Sequence, residues 1–208
     1  MSETTDIEQR LVAALWQTVA ARGWEGVTMR RIAAASGVAP AAIRRLCPGP
    51  GHLLALHERV MDQAVLEGTV PGQGGLPRDR LFDVLMRRID AMQPHRAGIV
   101  RLLRDLPREP LVAARLLGGL GRSMAWMLEA AEIDPRGLAG LARVEGTVAI
   151  WLAVVRAWMG DPSMDLGPTM AALDRALDRA EQVARSFGIG PGDLGQAPPD
   201  RGALALQP

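Results

Sequence analysis

The chemistry this chain offers most plainly is that of two arginine pairs, Arg30-Arg31 and Arg44-Arg45, set on either side of Gly37. A guanidinium is a permanent cation whose donors suit a phosphate or a guanine edge. Between positions 22 and 59 there are six arginines, at 22, 30, 31, 44, 45 and 59, against Glu25 and Glu58 alone. That is a local excess of four positive charges in a chain whose net charge is only +1. A polyanion would be drawn to this region rather than to the whole molecule. All 24 basic residues are arginine, and Lys, Tyr and Asn are absent, the pattern of a GC-rich genome.

Other chemistries find little support. His52, His57 and His95 lack ligand spacing, and neither His-Glu-x-x-His nor paired cysteines occur, so no metal site is expected. Gly72-Gln73-Gly74-Gly75 is no phosphate loop, because a chain without lysine has no Gly-Lys-Ser/Thr. No Ser, His and Asp arrangement stands out, and we expect no catalytic residues, no cofactor and no enzymatic activity. The single Cys47 makes no internal disulfide. Beside Arg45 its thiol has the setting of a redox sensor, but a small packing residue is the preferred reading.

The elements that position the arginines form a helix-turn-helix. Thr28 suits the amino-terminal cap of a first short helix whose apolar side is Ile32, Ala33 and Ala35. Gly37 allows a sharp turn, Val38 plugs the angle, and Pro40 is tolerated only in the first turn of the helix that follows. Small Ala33 and Ala34 let the two helices approach closely. The second, over 39–46, presents Arg44 and Arg45.

Before this unit, Ile7, Leu11, Ala14, Leu15, Thr18 and Val19 mark an amphipathic helix that should stop at Arg22-Gly23, with Trp24 folding back on it. After it, 47–51 holds two prolines and two glycines and must break the chain before a helix over 52–67. The glycine- and proline-rich 68–77 is the expected boundary. Helices follow over 78–93, 95–106, 111–132, 138–159 and 169–187, punctuated by prolines at 94, 107, 110, 135 and 162. No alternating strand pattern occurs, so the fold class is all-α, with a head over 1–62, a helical body over 63–187 and a disordered tail over 188–208. With 208 residues and 48% hydrophobic content the chain can bury a full core. The start lacks a secretory pattern, and the longest uncharged run in the carboxy-terminal half, 146–155, is far short of a bilayer span. A cytoplasmic protein with no membrane span is expected.

On Gly23, Thr28, Ile32, Ala33, Gly37, Val38, Pro40 and the Leu53-Leu54 pair, the region 7–61 resembles the TetR family of transcriptional regulators. The resemblance implies a DNA-binding head followed by a helical domain that binds a small hydrophobic ligand and dimerises. It places Thr28, Arg30 and Arg31 near the backbone of double-stranded operator DNA. Ala39, Ala41 and Ala42 approach the groove, and Arg44 and Arg45 contact phosphate or a guanine edge. The chain departs from the family where a tyrosine of the recognition helix is replaced by Arg44, a closing aromatic by Cys47, and a phosphate-holding lysine by Pro50. Those departures sustain a second reading, a lipid carrier like the TetR-fold accessory proteins of ubiquinone biosynthesis that no longer bind DNA. DNA binding is preferred.

In the body, Met124, Trp126, Met127, Trp151, Trp158 and Met159 concentrate aromatic and sulfur character on two adjacent helices. Met124, Trp126, Met127, Trp151 and Val155 are the expected ligand contacts, Trp126 and Trp151 foremost because each sits mid-helix among alanines. Core packing is the competing reading for every one of them. A homodimer is expected through the last two helices, by way of Leu141, Val144, Val148, Leu152 and Val155 on one and Met170, Leu173, Leu177, Ala180, Ala184 and Phe187 on the other.

Overall fold

Helix stops written into the sequence set the architecture. The structure, a computed structural model, describes residues 3–72 and 74–186, and among these every regular element is an α-helix or a single 3-10 turn. Helix α1, Glu3–Arg22, buries Leu11, Leu15, Trp16 and Val19 and ends where Gly23 adopts a φ of +69°. Helix α2, Met29–Ser36, is capped by Thr28 and closed by Gly37 at φ +66°, a left-handed conformation that suits glycine. Helix α3, Pro40–Leu46, opens on its proline as expected.

Helix α4, Pro50–Glu67, starts two residues earlier than the sequence predicts. Proline at the first helical position loses nothing, since that amide has no intrahelical partner anyway. The break therefore shrinks to Cys47, Pro48 and Gly49. Helices α5 (Pro77–Met92), α6 (Arg96–Asp105), α7 (Pro110–Ala130), α8 (Gly137–Gly160) and α9 (Gly167–Ser186) complete the body, each within two residues of its expected limits. Phe187 and the expected tail over 188–208 lie outside the described residues.

The first four helices are not packed as an isolated unit. Helix α1 lies along α6 as well as against α2 and α4, and α4 packs against α5 and α7. Gly98 on α6 makes this approach possible, because a Cβ there would stand 2.4 Å from the carbonyl oxygen of Trp16. One apolar core consequently runs from Ile32, Ile43 and Leu53 through Leu85 and Ile89 to Met124 and Trp158. At the far end, α9 packs on α8 and α5. Asp161 joins α8 to α9, accepting hydrogen bonds from the amide and hydroxyl of Thr169 and from the amide of Ser163.

Two expectations change here. Leu173 and Leu177 of the supposed α9 interface stripe are buried within their own subunit, against α8 and α5. The uncharged run on α8 also understated that helix. At 24 residues, with mean hydropathy 1.6 over its most apolar window, α8 is by length and composition apolar enough to cross a membrane, and only 33% of that window is buried. Its charges, Arg143, Glu145 and Arg156, flank the uncharged run without making the helix polar.

Candidate nucleic-acid interface

The helix-turn-helix is held by contacts from both sides. Thr28 Oγ1 accepts from the Arg31 amide at 3.3 Å, satisfying one of the free donors of the first turn of α2. Val38, Ile43 and Cys47 are buried, so the second helix is pinned by its inner face. Ser36 Oγ accepts from the Val38 amide at 3.2 Å and tightens the turn. From outside, Arg10 of α1 donates to the Ser36 carbonyl oxygen through Nε at 3.1 Å and Nη2 at 2.7 Å. Sequence reasoning missed Arg10, whose position on the polar side of an amphipathic helix gives it no distinguishing spacing.

The outer surface of this unit is where the expected DNA-contacting residues gather. Thr28, Arg30, Arg31, Ala39, Ala41, Arg44 and Arg45 are all exposed, and Ala42 is half-buried, packed against the core. Arg31 is partly committed, since its Nη1 donates to the Gly26 carbonyl at 2.9 Å. Among the described residues no carboxylate lies within ion-pair distance of Arg30, Arg44 or Arg45. Their charge is thus directed to solvent or to a polyanion. Of the three departures from the family pattern, two have a structural account. Cys47 is 1% exposed, with its thiol pushed above its ordinary pKa by burial, which suits a packing residue and opposes a reactive thiolate. Pro50 opens α4.

The expected ligand contacts in the body are less united. Met124, Met127, Trp151 and Val155 are buried, whereas Trp126 is 51% exposed. The expectation for Trp126 rested on small neighbours along the helix, but its position on the turn of α7 carries it outward beside exposed Arg122 and Glu129. Met127 and Trp151 instead surround a polar centre that the sequence did not announce. Arg88 of α5 is 5% exposed and pairs with Asp62 of α4, which also accepts from Ser123 Oγ of α7 at 2.6 Å. The Arg88 guanidinium lies 5.3 Å from the Trp151 ring centroid, and its Nη1 approaches Met127 Sδ at 3.9 Å. Next to it, His57 accepts from Trp16 Nε1 at 3.1 Å, and burial, reinforced by Arg88 and His95, drives its pKa down to about 3. None of the five expected residues lines the apolar cleft that opens between α5, α7, α8 and α9.

Against known structures the architecture is familiar. The chain is similar to a TetR transcriptional regulator from Nitrosomonas europaea ATCC 19718, with 20% identity and a TM-score of 0.67 over 84% of this chain and 98% of that one. It is similar also to a TetR regulator from Rhodococcus sp. RHA1, at 21% identity and TM-score 0.56 over 88% and 98% of the two chains. A third likeness, to a putative TetR-family regulator from Mesorhizobium loti, has 10% identity and TM-score 0.52 over 88% and 98%. No protein-family model matches the sequence, and no curated protein matches it. The fold is the all-α fold of TetR regulators.

Proposed function

We propose that the chain is a TetR-like DNA-binding transcriptional regulator, a repressor that works as a homodimer in the cytoplasm and is controlled by a small hydrophobic ligand. The observation that carries this reading is the arginine surface: Arg30, Arg44 and Arg45 project from the helix-turn-helix with no carboxylate among the described residues at ion-pair distance. Thr28, Arg30 and Arg31 would hold phosphates at the edge of the groove, and α3 would enter it through Ala39, Ala41 and Ala42. Small residues there permit close approach, leaving Arg44 and Arg45 as the groups able to reach phosphate or a guanine edge.

Binding to a genomic fragment pool at two salt concentrations tests it. Salt-sensitive retention of particular fragments is expected. Arg44→Ala with Arg45→Ala should weaken retention and reduce the log-log salt slope by about one unit for each phosphate that is no longer held, with little change in stability. A double variant that binds as tightly as the parent would reassign the recognition helix. The departures from the family pattern at Arg44, Cys47 and Pro50 sustain one other reading, a lipid carrier. That reading wins if no fragment is retained at low salt and lipid co-purifies.

A further inference from the structure

We propose that the cleft between α5, α7, α8 and α9 is a binding site for a small uncharged amphiphile, an aliphatic chain bearing a single hydroxyl. It rests on reading the body as ligand-responsive, and it assigns that role to residues other than Met124, Trp126, Met127, Trp151 and Val155. The cleft has a volume of about 330 Å³. That is the lower end of the ~300–1,000 Å³ range of small-molecule sites, so the space suits a small molecule.

The lining dictates the chemistry of the occupant. Leu81, Leu128 and Ile133 meet Ile150 of α8 and Leu177 and Ala180 of α9 around the cavity. The charged groups at its edge are already engaged. Arg78 donates to Asp174 and Asp178 at 2.6 Å each, and Glu181 stands 4.0 Å from its Nε. Arg143 donates to the Asp134 carbonyl at 2.9 Å. The three carboxylates around Arg78 disfavour a carboxylate ligand, and the two guanidiniums at the rim offset their attraction for a cationic one. Thr147, 3% exposed, spends its hydroxyl proton on the Arg143 carbonyl at 2.8 Å. Its oxygen keeps lone pairs, so it can accept a hydrogen bond from a hydroxyl.

Gly146 leaves room on the α8 wall of the cleft. Glycine is disfavoured inside a helix, and a Cβ at this position would meet nothing within 4 Å, so no close packing of a neighbour demands it. Gly146 lines the cleft, and any larger side chain on that turn of α8 would project into open space.

Fluorescence titration of the full chain with the neutral apolar probe N-phenyl-1-naphthylamine provides the test, with 1-decanol and decanoate as competitors at pH 8. One probe should bind per chain with a blue shift, and 1-decanol should displace it at a concentration at least tenfold below that of decanoate. Gly146→Phe should lower probe affinity at least tenfold while circular dichroism and melting remain those of a folded protein. Ala180→Leu, filling the opposite wall, gives the same readout should the first variant fail to fold. Absence of probe binding to the parent, equal or better displacement by decanoate, or full affinity in a folded cleft-filled variant each overturns the site. Fragment retention measured on the same preparations without probe keeps the two proposals separate. A chain that binds the probe but no DNA loses the regulator reading and keeps the cleft.

Discussion

Arg10 and Ser36, on different helices, are joined by two hydrogen bonds from one guanidinium to one carbonyl oxygen, at 3.1 and 2.7 Å. The acceptor is the last residue of α2, where helix carbonyls have no intrahelical donor and the dipole favours a cation. Arg10 thus does for the end of α2 what Thr28 does for its start, and it ties the turn before α3 to the long helix behind it.

Replacing Arg10 by alanine should therefore loosen the turn more than it destabilises the chain. About 1 kcal/mol of stability is expected to go, the usual scale of a partly exposed charge-assisted contact. DNA affinity should fall by a larger factor, because α3 would lose its fixed angle to the groove. Comparing denaturant midpoints with fragment binding checks this, and unchanged affinity would remove Arg10 from the positioning role.

Acid sensitivity should originate in the interior. His57 is held neutral, with a folded pKa of about 3, by burial and by Arg88 and His95, while an unfolded chain would titrate it near its ordinary value. Burial lowers the pKa of His95 as well. A depressed folded pKa contributes stability that is complete above about pH 6.5 and is lost as pH falls toward 3. The slope for one such group is roughly 1.4 kcal/mol per pH unit. Unfolding free energy should accordingly drop by about 2 kcal/mol from pH 6.5 to pH 5, and His57→Gln, which keeps an acceptor for Trp16, should flatten that decline. An equal slope in the variant would place the sensitivity elsewhere.

The two tryptophans expected to act alike should behave differently. Trp151→Ala removes a buried ring that also stacks with Arg88 and is expected to cost about 3–5 kcal/mol. Trp126→Ala, at a position 51% exposed, should cost less than about 1 kcal/mol. Chemical denaturation of both variants settles the contrast, which a comparable loss at Trp126 would contradict.

What the sequence made legible was local. Gly23, Gly37, Pro40 and the cap at Thr28 act through the backbone of their own few residues, and the helix limits they imply agree with the structure. Contacts between distant segments were another matter. Nothing in the spacing of Arg10 and Ser36, or of Asp62, Arg88 and Ser123, shows that they meet, because each partner lies on a different helix. Trp126 and Trp151 both have alanine neighbours, and only the placement of α7 and α8 decides which one is covered. The stripe on α9 was real but ambiguous, since an amphipathic face does not record whether its cover is the same subunit or another.

That ambiguity narrows the expected dimer surface to the exposed part of the α8 stripe, since Val144 and Val155 are buried as Leu173 and Leu177 are. Leu138, Leu141 and Leu152 are 90%, 57% and 49% exposed, with Ala149 and Ala153 beside them. Leu141 and Leu152 are spaced like Glu145 and Arg156, three helical turns apart, and all four share one outward face. An antiparallel crossing of two copies near the middle of α8 would cover the leucines and set each Glu145 against the other copy's arginine at the corresponding end. Lipid would leave both charges unpaired, so a second protein helix is the better cover. Leu141→Arg with Leu152→Arg should yield a folded monomer that no longer binds DNA, since two heads about 34 Å apart are needed for adjacent half-sites. Leu177→Arg, which would introduce a charge into the subunit core, should instead unfold the chain. Glu145→Arg alone should weaken the dimer, and Arg156→Glu added to it should restore association. Light scattering that finds the parent monomeric at micromolar concentration, or the charge-reversed pair no better than the single change, would remove this face from the interface.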